Sequence, residues 1–130
     1  MKIFVDANVL FTGAYSPQGK ASTLLYSGLH IVTSEYAIVE ARRNIHIKRP
    51  SATDVLEKAL ERIETVASIQ SGVCPIALPR KDEPIFLSAL VAGATHLLTD
   101  DLKDFGPYMN QRHKSAGILI QTVADFLASL

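Results

Sequence analysis

The sequence predicts an α/β fold, a parallel sheet covered by helices. Three observations carry this. Short unbroken apolar runs such as Ile3-Phe4-Val5 have the pattern of strands buried on both faces. These runs alternate with longer stretches of helical period. Acidic residues stand immediately beyond two of the runs, at Asp6 and at Asp100 and Asp101, where open α/β sheets gather their ligands.

Composition sets the bounds. The 130 residues are expected to form a single domain over 1–130, with 48% hydrophobic and 20% charged residues pointing to a globular chain. Thirteen basic and thirteen acidic residues give a formal net charge of zero, so total charge does not announce a nucleic-acid partner, although its distribution can. The single cysteine, Cys74, excludes an internal disulfide and a cysteine-based metal site, and fits a reducing compartment. The opening MKIFVDANVL has one lysine and an apolar run broken by Asp6, which is too short and too acidic for a signal peptide. No run approaches the roughly 20 apolar residues of a membrane span. A cytoplasmic protein without membrane contact is expected.

The elements follow in order. After the first strand, Asp6 taken alone reads as a helix cap or turn former as readily as a ligand. The stretch 13–19, GAYSPQG, reads as a turn-rich loop, 20–26 as a short helix ending at Gly28, and 30–33 as a second strand. Ser34 then caps a helix whose apolar side is Tyr36, Ala37, Ile38, Ala41 and Ile45. Glu40 lies beside that side. A mid-helix glutamate is ordinarily a solvated residue. About 1.5 turns from the helix start, however, a long carboxylate still reaches a site at the sheet's carboxyl edge. Arg42, Arg43, Lys48 and Arg49 place four of the thirteen basic residues within eight positions. They suit a solvated helix end, and equally a phosphate-contacting patch beside Glu40, although no aromatic residue interleaves with them for base stacking.

Pro50 breaks this helix. The stretch 51–65 reads as an amphipathic helix, with Ser51 and Asp54 as a capping box and Val55, Leu56, Ala59, Leu60 and Ile63 as its stripe. Within 66–78, 66–69 and 73–78 could each hold a strand, kept short by Gly72 and Pro75. The segment from Asp82 to Phe105 carries most of the chemistry. Asp82, Glu83 and Pro84 make a helix start with a carboxylate to cap it, Gly93 a helix stop, and 95–99 a buried strand. A helix followed so closely by a strand folds back, which brings Asp82 and Asp101 to one end of the fold. Carboxylates gathered there repel, and a hard divalent cation is the usual compensation. Residues 106–115 read as loop with a small basic cluster, Arg112, His113 and Lys114. Residues 116–121 form the last strand, and Thr122 with Asp125 opens a final helix whose Phe126, Leu127 and Leu130 pack on the sheet. His30, His46, His96 and His113 show no metal-ligand spacing, and His96 and Cys74 read as core residues. No phosphate-binding glycine motif is present.

At this point the chain resembles the PIN-domain nucleases, the fold of VapC-type toxins of toxin–antitoxin pairs. The resemblance rests on FVDANVL at Asp6, YAIVEARRNI at Glu40, RKDEPIFLSALVAGATHLLT at Asp82, TDDLKDF at Asp101 and Asp104, and the terminal ILIQTVADFL. Each motif is common alone; their order and spacing together are specific, and they cover nearly the whole chain. The resemblance implies a three-layer α/β/α fold with a central parallel sheet of four to five strands. It implies a metal site of Asp6, Glu40, Asp82, Asp101 and Asp104, of which Asp6, Glu40, Asp82 and Asp101 are catalytic, supported by Asn8 and Thr99. All-oxygen donors favour Mg²⁺ or Mn²⁺ over zinc, and two such ions ~4 Å apart serve in-line phosphoryl displacement. Asp6 and Asp101 would hold one ion, and Glu40 and Asp82 would complete the second site or orient the water. The implied activity is hydrolysis of single-stranded RNA, with Arg42, Arg43 and Lys48 steering the backbone. The implied partners are RNA, an antitoxin protein and a second copy of the chain. Two positions depart from the family: Ala7 replaces a common hydroxyl residue, and Ile85 stands where some relatives have a further acid. A non-catalytic PIN-like module binding RNA or protein is the alternative. A receiver-like phosphoacceptor domain would want a lysine after its last strands, and 118–122 contains none.

Overall fold

A computed structural model describes all 130 residues. Five short strands, β1 (Ile3–Val5), β2 (Ile31–Ser34), β3 (Glu64–Val66), β4 (His96–Leu98) and β5 (Leu119–Gln121), form one sheet in the order β3-β2-β1-β4-β5. Every pairing is parallel. The helices are α1 (Ala7–Tyr15), α2 (Lys20–Leu25), α3 (Glu35–Lys48), α4 (Thr53–Leu60), α5 (Glu83–Val91), α6 (Leu102–Phe105) and α7 (Val123–Ala128).

The central strand, β1, has Ile3, Phe4 and Val5 wholly buried, which explains its unbroken apolar run. From β1 the chain steps outward to β2 and β3, then crosses back to β4 on the other side of β1 and on to β5. Parallel crossovers keep one hand, so a reversal of direction moves the connecting helices to the other face. It also opens a crevice at the carboxyl ends of the strands on either side of the reversal, here β1 and β4. Val5 pairs with Leu98 in register, so Asp6 and Thr99, the next residues, emerge side by side. A single core of 32 buried residues surrounds the sheet, with Phe4, Phe86, Phe105 and Phe126 its largest members. No helix is long and apolar enough to cross a membrane.

Several elements differ from the sequence reading. Gly13 does not open a loop; α1 runs through it to Tyr15. A Cβ at Gly13 would lie 2.6 Å from Leu25 Cδ1, so the glycine serves the close approach of α1 and α2. The helix expected over 51–65 is confined to α4. A 3₁₀ turn, Pro50–Ala52, precedes it, no side chain caps it, and residues 64–66 leave to pair with β2. Helical periodicity persists across 51–65, but the ladder to Val32, Thr33 and Ser34 overrides it at the end. The strand of this region stops at Val66. Residues 73–78 form no strand: Val73 is 93% exposed, Pro75 lacks an N–H, and the segment is held instead by Ile76 in the core and by Tyr108 Oη, which bonds both the N–H and the carbonyl of Ala77. The last strand begins only at Leu119, because Ala116 and Gly117 take positive φ of 53° and 86°. Leu130 does not pack on the sheet and is exposed. His96 is half-buried at the edge of the Phe126 ring, with Nδ1 at 2.8 Å from Thr95 Oγ1.

Candidate metal centre

The site begins with how β1 and β4 end. Asp6 is almost fully buried, at 5% exposure, and caps α1. Its Oδ1 accepts from the Ala7 N–H at 2.7 Å, and its Oδ2 accepts from Thr99 Oγ1 at 2.8 Å and Asn8 Nδ2 at 3.3 Å. Thr99 has no exposed surface. Its hydroxyl donates to Asp6 and accepts from Asn8 Nδ2 and from the Asp101 N–H, both at 3.1 Å, which uses its one donor and both lone pairs. Asn8 Oδ1 accepts from the Asp100 N–H at 3.0 Å. Asn8 and Thr99 thereby tie the strand ends together and fix the backbone that carries Asp101. Burial pushes the Asp6 carboxyl up to about 6; its hydrogen bonds from Thr99 and Ala7 oppose this, and the charges of Glu40 and Asp101 add to it.

Three further carboxylates converge opposite. Asp82 stands at the start of α5, Asp101 caps α6 by accepting from the Asp104 N–H at 3.0 Å, and Asp104 lies in the first turn of α6. One carboxylate oxygen from each of Asp82, Asp101 and Asp104 lies within 4.8 Å of the others. Asp82 does not cap its helix with its side chain, against expectation. It turns instead toward the other acids, and its Oδ2 is buried with no hydrogen-bond partner. Burial first, then a hydrogen bond shared with Asp104, raises the Asp82 carboxyl to about 7, with the Lys81 charge opposing. The same shared bond holds Asp104 below the usual carboxylate range. Carboxylates this close repel when both are charged, and either a retained proton on Asp82 or a bound cation offsets that cost.

The acids meet in a cavity of about 270 Å³ whose walls include Asp6, Asn8, Glu40, Asp82 and Asp101. Glu40 is half-buried on α3 and faces it. Asp82, Asp101 and Asp104 form a three-acid group, beside the pairing of Asp6 with Asp101 and of Glu40 with Asp82 that the resemblance implies. The donor set is entirely oxygen, and one Asp82 carboxylate oxygen is buried without a hydrogen-bond partner, so the residues fit a hard divalent cation.

Of the expected RNA-binding cations, Lys48 lines the cavity. Arg42 lies on the opposite side of α3, two successive 100° steps from Glu40, where Nε and Nη2 form a bidentate pair with Glu57 at 3.0 and 2.7 Å. Arg43 is exposed. Three wall residues had no assigned role in the sequence reading: Phe11, Asn44 and Lys81. Lys81 Nζ is 3.5 Å from Asp104 Oδ2, and the backbone carbonyl of Lys81 accepts from Tyr36 Oη at 2.9 Å. Asn44 is one turn beyond Glu40, a spacing that alone would have nominated it. Phe11 carried no such signal.

No family model and no curated protein sequence matches this chain. Solved structures do. VapBC2 from Rickettsia felis, bound to a DNA fragment from its promoter, superposes with a TM-score of 0.66 at 16% identity, covering 94% of this chain and 98% of that one. PAE2754 from Pyrobaculum aerophilum gives 0.65 at 19% identity, covering 99% of this chain and 88% of that one. A toxin–antitoxin complex from Klebsiella pneumoniae gives 0.58 at 20% identity, covering 81% of this chain and 90% of that one. At such identities the likeness establishes the fold, which is the PIN-like α/β/α arrangement with all five strands parallel.

Proposed function

We propose that this PIN-like chain is, as one domain over 1–130, a metal-dependent endoribonuclease acting on single-stranded RNA, and the toxin of a toxin–antitoxin pair. The observation that carries the reading is the convergence of Asp82, Asp101 and Asp104 at the strand-order reversal, with a buried Asp82 oxygen left for a cation. Asp82, Asp101 and Asp104 would hold Mg²⁺ or Mn²⁺, with Asp6 and Glu40 completing the acidic wall for a second ion. Such ions supply a nucleophile at neutral pH and neutralise charge on the phosphoryl oxygens and the leaving oxygen.

The chain's own residues do the remaining work. Thr99 and Asn8 hold Asp6 and the Asp101 backbone in fixed orientation, so little reorganisation is needed when substrate arrives. Glu40, which lines the cavity from α3, would complete the second site or orient the attacking water. Lys81, beside Asp104, is placed to meet a phosphate oxygen. An antitoxin partner is proposed because VapBC2 and the Klebsiella pneumoniae protein are both toxin–antitoxin assemblies; a homodimer and a cytoplasmic location complete the proposal.

The test is cleavage of a single-stranded RNA in Mg²⁺ or Mn²⁺, with EDTA as control. Wild type is expected to cleave and EDTA to stop it. Asp6→Asn and Asp101→Asn are expected to lose activity by a factor of about 10² or more while still folding, since removing one of several like charges relieves repulsion. Unchanged cleavage by Asp6→Asn would overturn the assignment. RNA binding without turnover in any divalent metal would favour a non-catalytic module.

A further inference from the structure

One wall of the acidic cavity continues outward as a strip that the cleavage chemistry does not use. Phe11 and Tyr15 lie one turn apart on α1, with ring centroids 5.4 Å apart and planes inclined by 33°. Lys48 Nζ stands 5.4 Å from the Phe11 centroid, and the Arg49 guanidinium carbon stands 5.2 Å from the Tyr15 centroid. Arg49 also donates to the Tyr15 carbonyl, which fastens the end of α3 to the end of α1. Phe11 and Lys48 line the cavity; Tyr15 and Arg49 do not. The strip therefore starts at the acids and leads away from them.

Packing alone does not account for it. Tyr15 is 42% exposed, and both cations are exposed. Neither Lys48 nor Arg49 has a carboxylate partner, whereas Arg42 is neutralised by Glu57 and Lys81 is paired with Asp104. Exposed cation–π contacts of this kind contribute little to stability. Without metal an acidic cavity repels a polyanion, and a chain of zero net charge offers no long-range attraction. A local surface where cations without carboxylate partners lie beside aromatic rings supplies the attraction that net charge does not. The basic cluster of α3 has no aromatic neighbours in sequence, and α1 supplies them in space.

We propose that Phe11, Tyr15, Lys48 and Arg49 form a subsite for single-stranded RNA beside the cleavage position, its bases stacking on the two rings and its phosphates meeting the two cations. The proposal rests on the nuclease reading for its biological meaning, though not for its measurement. A paired duplex keeps its base faces stacked and cannot use the rings, so the strip selects unpaired nucleotides.

The experiment is binding of a fluorescent single-stranded RNA to the full chain, followed by anisotropy in Ca²⁺ across a salt series. Phe11→Leu and Tyr15→Leu are each expected to weaken binding by about fivefold or more. Lys48→Gln and Arg49→Gln are each expected to reduce the slope of log affinity against log salt by about 0.7. An oligonucleotide with abasic positions is expected to bind wild type more weakly than the intact one, and Tyr15→Leu to lose that discrimination, which a merely structural role for Tyr15 would not produce. Phe11 packs partly against the core, so if Phe11→Leu fails to fold, Tyr15→Leu carries the test. The subsite is overturned if folded variants bind as wild type does, if wild type binds no single-stranded RNA, or if duplex RNA binds equally well. Wild type that cleaves RNA while the strip variants bind normally removes the subsite alone. Variants that lose binding in a chain showing no metal-dependent cleavage remove the nuclease reading alone.

Discussion

Thr99 is the residue on which the geometry of the centre turns. Its hydroxyl is buried and makes three hydrogen bonds, to Asp6, Asn8 and the Asp101 N–H. Thr99→Val keeps the shape and removes all three, leaving a buried N–H and a buried carboxylate oxygen short of a partner. The expected loss is about 1–3 kcal/mol in urea unfolding. Thr99→Ser keeps the hydroxyl and should lose only about 1 kcal/mol for the missing methyl. Equal losses for the two would show that the hydroxyl is not organising the site. This scale was unevenly legible from the sequence. Asp6, Asp82 and Asp101 stood out by their places at strand and helix ends, although Asp6 and Asp101 also cap helices there, the plainer reading of such acids. Thr99 was named through the family resemblance as the hydroxyl before Asp101, but its three bonds could not be read from the sequence. Phe11 and Lys81 gave no signal at all, since their part in the cavity depends on α1, α3 and the segment before α5 meeting in space.

Glycine 13 decides how two elements meet. Within α1 it carries the usual helix penalty, so alanine there would gain up to about 1 kcal/mol from propensity. Its Cβ would fall 2.6 Å from Leu25 Cδ1, and Leu25 is buried, so the Leu25 side chain or α2 itself must shift at a cost of about 1–3 kcal/mol. Gly13→Ala is therefore expected to be net destabilising in wild type. In a Leu25→Ala background the clash disappears and the same change is expected to stabilise. A double-mutant cycle by thermal or urea unfolding measures the difference; additive effects would show that α1 and α2 are not in contact there. The reading of this glycine as a loop start failed because a glycine needed for close packing and a glycine needed for a turn look alike in one sequence. The helix assigned to 51–65 failed for a related reason. Its period was correct, but residues 64–66 find more in the β2 ladder than in a further helical turn. Elements whose local chemistry and tertiary role agree, such as α3 with its Ser34 cap and α7 with its Thr122 cap, were placed within a residue or two.

Across the whole molecule, the strand order forces acids from distant parts of the chain into one crevice, and the cost of doing so makes stability depend on pH in an unusual direction. Asp6 and Asp82 are raised to about 6 and about 7 in the folded state, from an ordinary value of 3.8. Between these limits the folded chain holds more protons than the unfolded chain. Stability without metal therefore falls as pH rises from about 5 to 8. The usual carboxylate, depressed by a partner, gives the opposite slope. A divalent cation bound to Asp82, Asp101 and Asp104 would compete with the proton that Asp82 retains, so saturating Mn²⁺ should stabilise the chain more at pH 8 than at pH 5.5 and flatten or invert the trend. Urea unfolding at both pH values, in EDTA and in Mn²⁺, resolves all four conditions. The loss of stability with pH in EDTA belongs to the crowding of the carboxylates, and its reversal by metal belongs to their role as ligands. A chain that grew more stable with pH in EDTA would show that these acids are not held together, and one indifferent to Mn²⁺ would show that they are together for some purpose other than binding a cation.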